Sequence, residues 1–107
     1  MADLTLSLKG EYFDAIKAGT KTEEYRLCTP YWKRRLTRQS KYADSLVEGS
    51  ITVERCYDRI ILTRGYPKRD DQERRLILPW RGYTIQTITH PHFGPEPVQV
   101  YAIEVRT

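Results

Sequence analysis

Apolar and polar positions change their period along this chain, and each change predicts an element. Leu4, Leu6 and Leu8 alternate with Asp3, Thr5 and Ser7, the period of a half-buried strand over residues 2–8. Lys9 and Gly10 break the alternation. From Glu11 to Ala18 the period becomes helical, with Tyr12, Phe13 and Ile16 on one side and Glu11, Asp14 and Lys17 free to face water. Gly19 is placed to take the left-handed conformation that closes a helix. Tyr25 and Leu27 start a second strand. Thr29-Pro30 then signals a helix start, because a hydroxyl can cap and a proline needs no N–H at the first helical position. Tyr31, Trp32, Arg35 and Leu36 follow on this short basic helix, with Trp32 expected to pack rather than to stack on a ligand.

The second half reads mainly as strands. Residues 37–56 are polar, with Tyr42, Leu46, Val47, Ile51 and Val53 as anchors and Gly49-Ser50 as a turn; an excursion with a short helix and then a strand is expected. Ile60-Ile61-Leu62, inside Tyr57–Thr63, is a continuous apolar run that suits a central strand covered on both faces. Thr63-Arg64-Gly65-Tyr66-Pro67 ends it in a turn that holds Arg64 and Tyr66 where sites are often built. After the charged stretch 68–75, Leu76-Ile77-Leu78 returns to the core and Pro79-Trp80-Arg81-Gly82 turns. Residues 83–89 and 98–105 read as two further strands. In the last of these, an inward-facing Glu104 would call for a cationic partner.

Composition narrows the class. The 107 residues, 39% hydrophobic and 30% charged, fit one domain over 1–107 that buries roughly 65% of its unfolded surface. No apolar run approaches the ~20 residues that cross a bilayer, so no membrane partner is expected. The N-terminus lacks a basic region followed by an apolar segment, so a cytoplasmic location is expected. Cys28 and Cys56 have neither metal-site spacing nor the density of a disulfide scaffold, and read as reduced packing residues. His90-Pro91-His92 has no evident third ligand, so no metal and no cofactor are assigned. A net charge of +4, with basic clusters at residues 33–41 and 68–75, admits a nucleotide or RNA as partner.

The most informative stretch is the helix-to-strand corner Gly19-Thr20-Lys21-Thr22-Glu23-Glu24-Tyr25-Arg26. In an ideal strand Lys21 and Glu24 would point to opposite faces, while Glu24 and Arg26 share one. For Lys21 and Glu24 to line one pocket, Lys21 must still lie in the turn after Gly19, or the strand must bulge near Thr22. A lysine amine in such a pocket can transfer a proton or attack a carbonyl, and a neighbouring carboxylate can shuttle the proton. Arg26 is suited to holding a carbonyl oxygen or a phosphate. Thr20 and Thr22 offer hydroxyls as nucleophile or water anchor.

The spacing of Gly19, Lys21, Glu24 and Arg26 after a short strand and helix resembles the signature of the ASCH domain family. That resemblance implies an α+β fold, a small mixed PUA-like β-barrel with two or three short helices. It also implies a pocket at this corner. One small bacterial branch of the family consists of amidohydrolases that remove the acetyl group of N4-acetylcytidine with a lysine, a threonine and a glutamate. Lys21 matches the lysine, whereas Glu24 stands where those enzymes have their threonine, and their distant glutamate has no secure counterpart. The expected function is therefore metal-independent hydrolysis of N4-acylated cytosine nucleosides. Its expected catalytic residues are Lys21, Glu24, Thr20 and Thr22, and its substrate-binding residues Glu23, Arg26, Arg64 and Tyr66. The alternative is an RNA-binding or RNA-cleaving ASCH module, since other members resemble RNA-binding modules and some are reported as ribonucleases.

Overall fold

The computed structural model describes residues 2–44 and 47–107, with side chains placed outside 40–51. Strand β1 (Asp3–Leu8) buries all three of its leucines and exposes the residues between them. It pairs in parallel with β5 (Arg59–Arg64), which pairs antiparallel with β6 (Arg75–Pro79), giving the order β1-β5-β6. β5 is central as expected, but only one of its faces is fully covered: Ile60 and Leu62 are wholly buried, while Ile61 on the opposite face is half-buried. An ion pair of 2.7 Å between Arg59 and Asp3, which face each other in the ladder, fixes the parallel register at its outer end.

A second sheet is built from β2 (Glu23–Leu27), β8 (Val98–Glu104) and β7 (Tyr83–Ile88), all antiparallel, in the order β2-β8-β7. Helix α1 (Gly10–Lys17) inserts Phe13 and Ile16 into the core, and α2 (Pro30–Leu36) inserts Leu36. These side chains join Leu4, Leu6, Leu8, Ile60, Leu62, Ile103 and Val105 in one apolar cluster. The chain is thus α+β, with two short helices, one 3₁₀ turn (Pro91–Phe93) and strands grouped into separate sheets among the described residues.

Three expectations change. Residues expected to form a helix and a strand form a β-hairpin instead, β3 (Thr37–Asp44) against β4 (Val47–Glu54), which pairs only with itself among the described residues. Gly49 and Ser50, expected in a turn, lie inside β4 opposite Tyr42 and Lys41. The segment has too few apolar positions at helical spacing to give a helix a face to bury, and pairing between its two halves makes it a ribbon. Cys56 is exposed rather than packed, while Cys28 does rest against the core. Glu104 does find a cation, Arg106 at 3.5 Å, but the pair sits in partial contact with solvent.

Because Phe13 is 1% exposed and meets the centre of the cluster, Phe13→Ala should cost about 3–5 kcal/mol. Denaturant unfolding followed by circular dichroism measures that loss.

Candidate functional site

The corner between α1 and β2 is pinned by one carbonyl. The oxygen of Ala15 accepts from the Thr20 N–H at 3.0 Å, the Lys21 N–H at 3.1 Å and the Thr20 hydroxyl at 3.1 Å. Gly19, at φ 82°, makes the left-handed turn that brings those donors round. Lys21 therefore lies outside the strand, which begins at Glu23, and the period-two rule does not separate it from Glu24. Both residues line one cavity of about 310 Å³.

β2 is an edge strand, and its exposed edge is closed by its own side chains. The Tyr25 N–H donates to Glu24 Oε1 at 3.1 Å, and Arg26 Nη1 donates to the Tyr25 carbonyl at 3.0 Å. Arg26 Nη1 also lies 3.4 Å from Glu24 Oε1. Through Nη2 the same guanidinium donates to the Ser7 carbonyl at 3.2 Å, tying β2 to β1. Glu24 is only 4% exposed, and its second oxygen, Oε2, is buried with no hydrogen-bond partner. A buried carboxylate oxygen without a donor is costly, so this atom is the natural acceptor for a ligand N–H or a water proton. Burial pulls the Arg26 guanidinium below its ordinary range; Glu24 opposes that shift and Arg35 adds to it.

Aromatic rings form the remaining walls. The Lys21 ammonium stands 5.1 Å from the Tyr12 ring centroid and 4.8 Å from that of Tyr25, a cradle that favours the cation. His90 packs against both tyrosines, at 6.2 and 6.1 Å, and against Phe93 at 6.0 Å. Trp32, with Arg26 held 5.3 Å from its ring, closes the side formed by α2. Thr29 holds that helix start through its side-chain oxygen, which accepts from the Trp32 N–H at 3.4 Å. Burial raises the phenols of Tyr12 and Tyr25 above their ordinary value, and nearby carboxylates add to the shift, so both remain neutral donors.

Of the residues singled out in the sequence, Lys21, Glu24 and Arg26 meet in this cavity. The others lie elsewhere. Thr20 spends its hydroxyl on Ala15. Thr22 and Glu23 face a second hollow of about 370 Å³, and Glu23 accepts from Gln86 at 3.0 Å. Arg64 is drawn along α1 by Asp14 at 3.3 Å, and Tyr66 is 94% exposed. The second hollow is the larger, but its charged lining, Glu23, Arg81, Glu104 and Arg106, includes the Glu104–Arg106 pair and orphans no buried side-chain atom. Convergent unmet hydrogen bonding favours the first cavity over volume alone.

Tyr12, Tyr25, Trp32 and His90 were not legible as site residues from their positions. The one signal was density, since His90, His92 and Phe93 place three rings within four residues after a strand. The Nδ1 of His90 is already occupied, accepting from the His92 N–H at 3.1 Å, and no group of three or more metal-ligating side chains gathers among the described residues.

No family model, curated protein or solved structure matches the chain.

Two predictions follow from this geometry. Arg26→Ala leaves a buried carboxylate without its counter-charge and should cost about 3 kcal/mol, the low end for a broken buried pair because the Arg26 side chain keeps 19% of its exposure. Adding Glu24→Gln should recover part of that loss in urea unfolding. With phenol pKa values raised by folding, the unfolded chain gives up its tyrosine protons first, so stability should fall as pH climbs past about 10. Absorbance titration of tyrosinate in the native and urea-unfolded protein checks the order of ionisation.

Proposed function

We propose that the protein is an amidohydrolase acting on N4-acylated cytosine nucleosides, with Glu24 moving the proton and Lys21 stabilising the oxyanion. The observation that carries this reading is that Glu24, whose Oε2 is buried without a partner, lines the same cavity as Lys21. A planar base fits between aromatic walls, where stacking rewards any ring. The exocyclic amide N–H of an acylated cytosine supplies the donor that Oε2 lacks. The resemblance of Gly19, Lys21, Glu24 and Arg26 to the ASCH signature supports the same chemistry. Two sheets around one apolar cluster are compatible with a small PUA-like barrel.

In this mechanism a water in the cavity gives its proton to Glu24 as its oxygen attacks the acyl carbon. The Lys21 ammonium stabilises the oxyanion that forms. The carbon–nitrogen bond then breaks, the proton passes to the departing amine, and cytidine and a carboxylic acid leave. Arg26 positions Glu24 by holding Oε1 and takes no part in proton transfer. A threonine nucleophile is not needed, because Thr20 and Thr22 do not reach this cavity. A volume of about 310 Å³ is that of a small-molecule site, at the low end of the roughly 300–1,000 Å³ range, and favours a nucleoside-sized ligand over an extended strand.

Purified protein incubated with N4-acetylcytidine should convert it to cytidine, seen as a change in ultraviolet absorbance. Lys21→Ala and Glu24→Gln should each lower the rate by about 10²–10⁴-fold, whereas Thr20→Ala and Thr22→Ala should stay near wild type. No turnover together with steeply salt-dependent RNA binding would replace the enzyme by an RNA-binding module.

A further inference from the structure

The charges at the cavity do not balance for a neutral ligand. Among the described residues Glu24 is its only lining carboxylate and is already paired with Arg26, which leaves Lys9 and Lys21 on the lining without an ion-pair partner there. A third cation lies outside the lining on α2, against the wall residue Trp32. The Arg35 guanidinium stands 5.2 Å from the Trp32 ring centroid and 5.6 Å from that of Tyr31, and Arg35 Nη1 donates to the Tyr31 hydroxyl at 2.8 Å. Helical spacing sets this up, because residues three and four apart share a face. Two rings and a hydroxyl thus hold the guanidinium in place, and among the described residues it has no ion-pair partner.

Arg26 and Arg35 also share one indole. Each guanidinium carbon lies within 5.3 Å of the Trp32 centroid, so two like charges are kept close on the ring that walls the cavity. Such an arrangement raises the energy of the empty site and lowers it when an anion enters. Arg26 has committed Nη1 and Nη2 to Tyr25, Glu24 and Ser7, whereas Arg35 keeps most of its donor fork free.

Resting on the nucleoside reading above, we infer that Arg35, steadied between Tyr31 and Trp32, binds a phosphate group of the ligand whose base enters the cavity, so that the substrate is a cytosine nucleotide. A planar fork meeting two phosphate oxygens gives charge-assisted hydrogen bonds that a free nucleoside cannot supply. The same chemistry serves a mononucleotide and a nucleotide within a strand. Arg34, its neighbour, donates instead to the Pro30 carbonyl at 3.4 Å, and serves as a control of equal charge.

The test is calorimetric titration of the full chain at fixed ionic strength with cytidine, cytidine 5′-monophosphate and a cytidine trinucleotide. Wild type should bind at least one phosphorylated ligand about tenfold more tightly than cytidine, the yield of one charge-assisted hydrogen bond. Arg35→Gln should bring that ratio close to one, and Arg34→Gln should leave it. A trinucleotide that outbinds the mononucleotide assigns the phosphate to a strand; equal binding assigns it to the mononucleotide. A wild-type ratio near one overturns the inference, as does an equal loss in Arg34→Gln, which would mark a diffuse field. Absence of binding by all three ligands overturns it too. Turnover of N4-acetylcytidine with a ratio near one would remove the phosphate site and leave the hydrolase, while a phosphate preference without turnover would do the reverse.

Discussion

One peptide group on the free edge of β2 organises the site. In an antiparallel edge strand alternate residues aim their N–H and C=O away from the sheet, and Tyr25 is such a residue. Edges left open in this way invite pairing with another chain, and proteins protect them with charges. Here the protection comes from the residues on either side, the Glu24 carboxylate taking the N–H and the Arg26 guanidinium meeting the C=O. Solving the edge problem this way fixes both side chains at once. It also consumes only one oxygen of Glu24, so that the other stays buried and unpaired on a residue that lines the hollow.

The rest of the corner depends on that arrangement being met from the opposite side. Gly19 and the Ala15 carbonyl stop α1 so abruptly that Lys21 arrives before the strand alternation begins. Its ammonium then settles between two phenol rings rather than against a carboxylate, which keeps cation and acid apart within one enclosure. A direct Lys21–Glu24 bridge would satisfy Oε2 and leave nothing for a ligand. Separation by aromatic walls is thus what makes the two groups chemically available, and the same rings offer surfaces on which a flat heterocycle can lie.

How far the sequence revealed this differs between elements. β1, α1 and the start of α2 were readable because each signal is local: alternation, a helical period, and a threonine followed by proline. The placement of Lys21 beside Glu24 could be posed as a condition on the turn after Gly19, but not decided, since it rests on backbone hydrogen bonds to Ala15. Arg64 and Tyr66 looked well placed because strand ends often carry function, yet an attraction to Asp14 on a different element removes Arg64 and nothing draws Tyr66 inward. The hairpin over 37–54 misled for another reason. Its residues have weak periodicity of either kind, and pairing between its two halves, a contact between non-neighbours, decides the outcome.

The aromatic wall shows the limit most sharply, because its rings come from α1, β2, α2 and the segment after β7, with no common spacing in the chain. What brings them together is the requirement that an edge strand and a helix end both be covered. Covering them with rings rather than aliphatic side chains leaves a hollow, since rigid planes cannot collapse into the space between them as a leucine would. The cost of that hollow, and of the unpaired Glu24 oxygen, is carried by the apolar cluster to which α1, β5 and β8 contribute Phe13, Ile60 and Ile103. A site of this kind is therefore destabilising by construction. Its persistence in so small a fold is the physical reason to expect a ligand that returns part of the loss, by supplying one donor to Oε2, a plane between the rings and a negative charge at the rim.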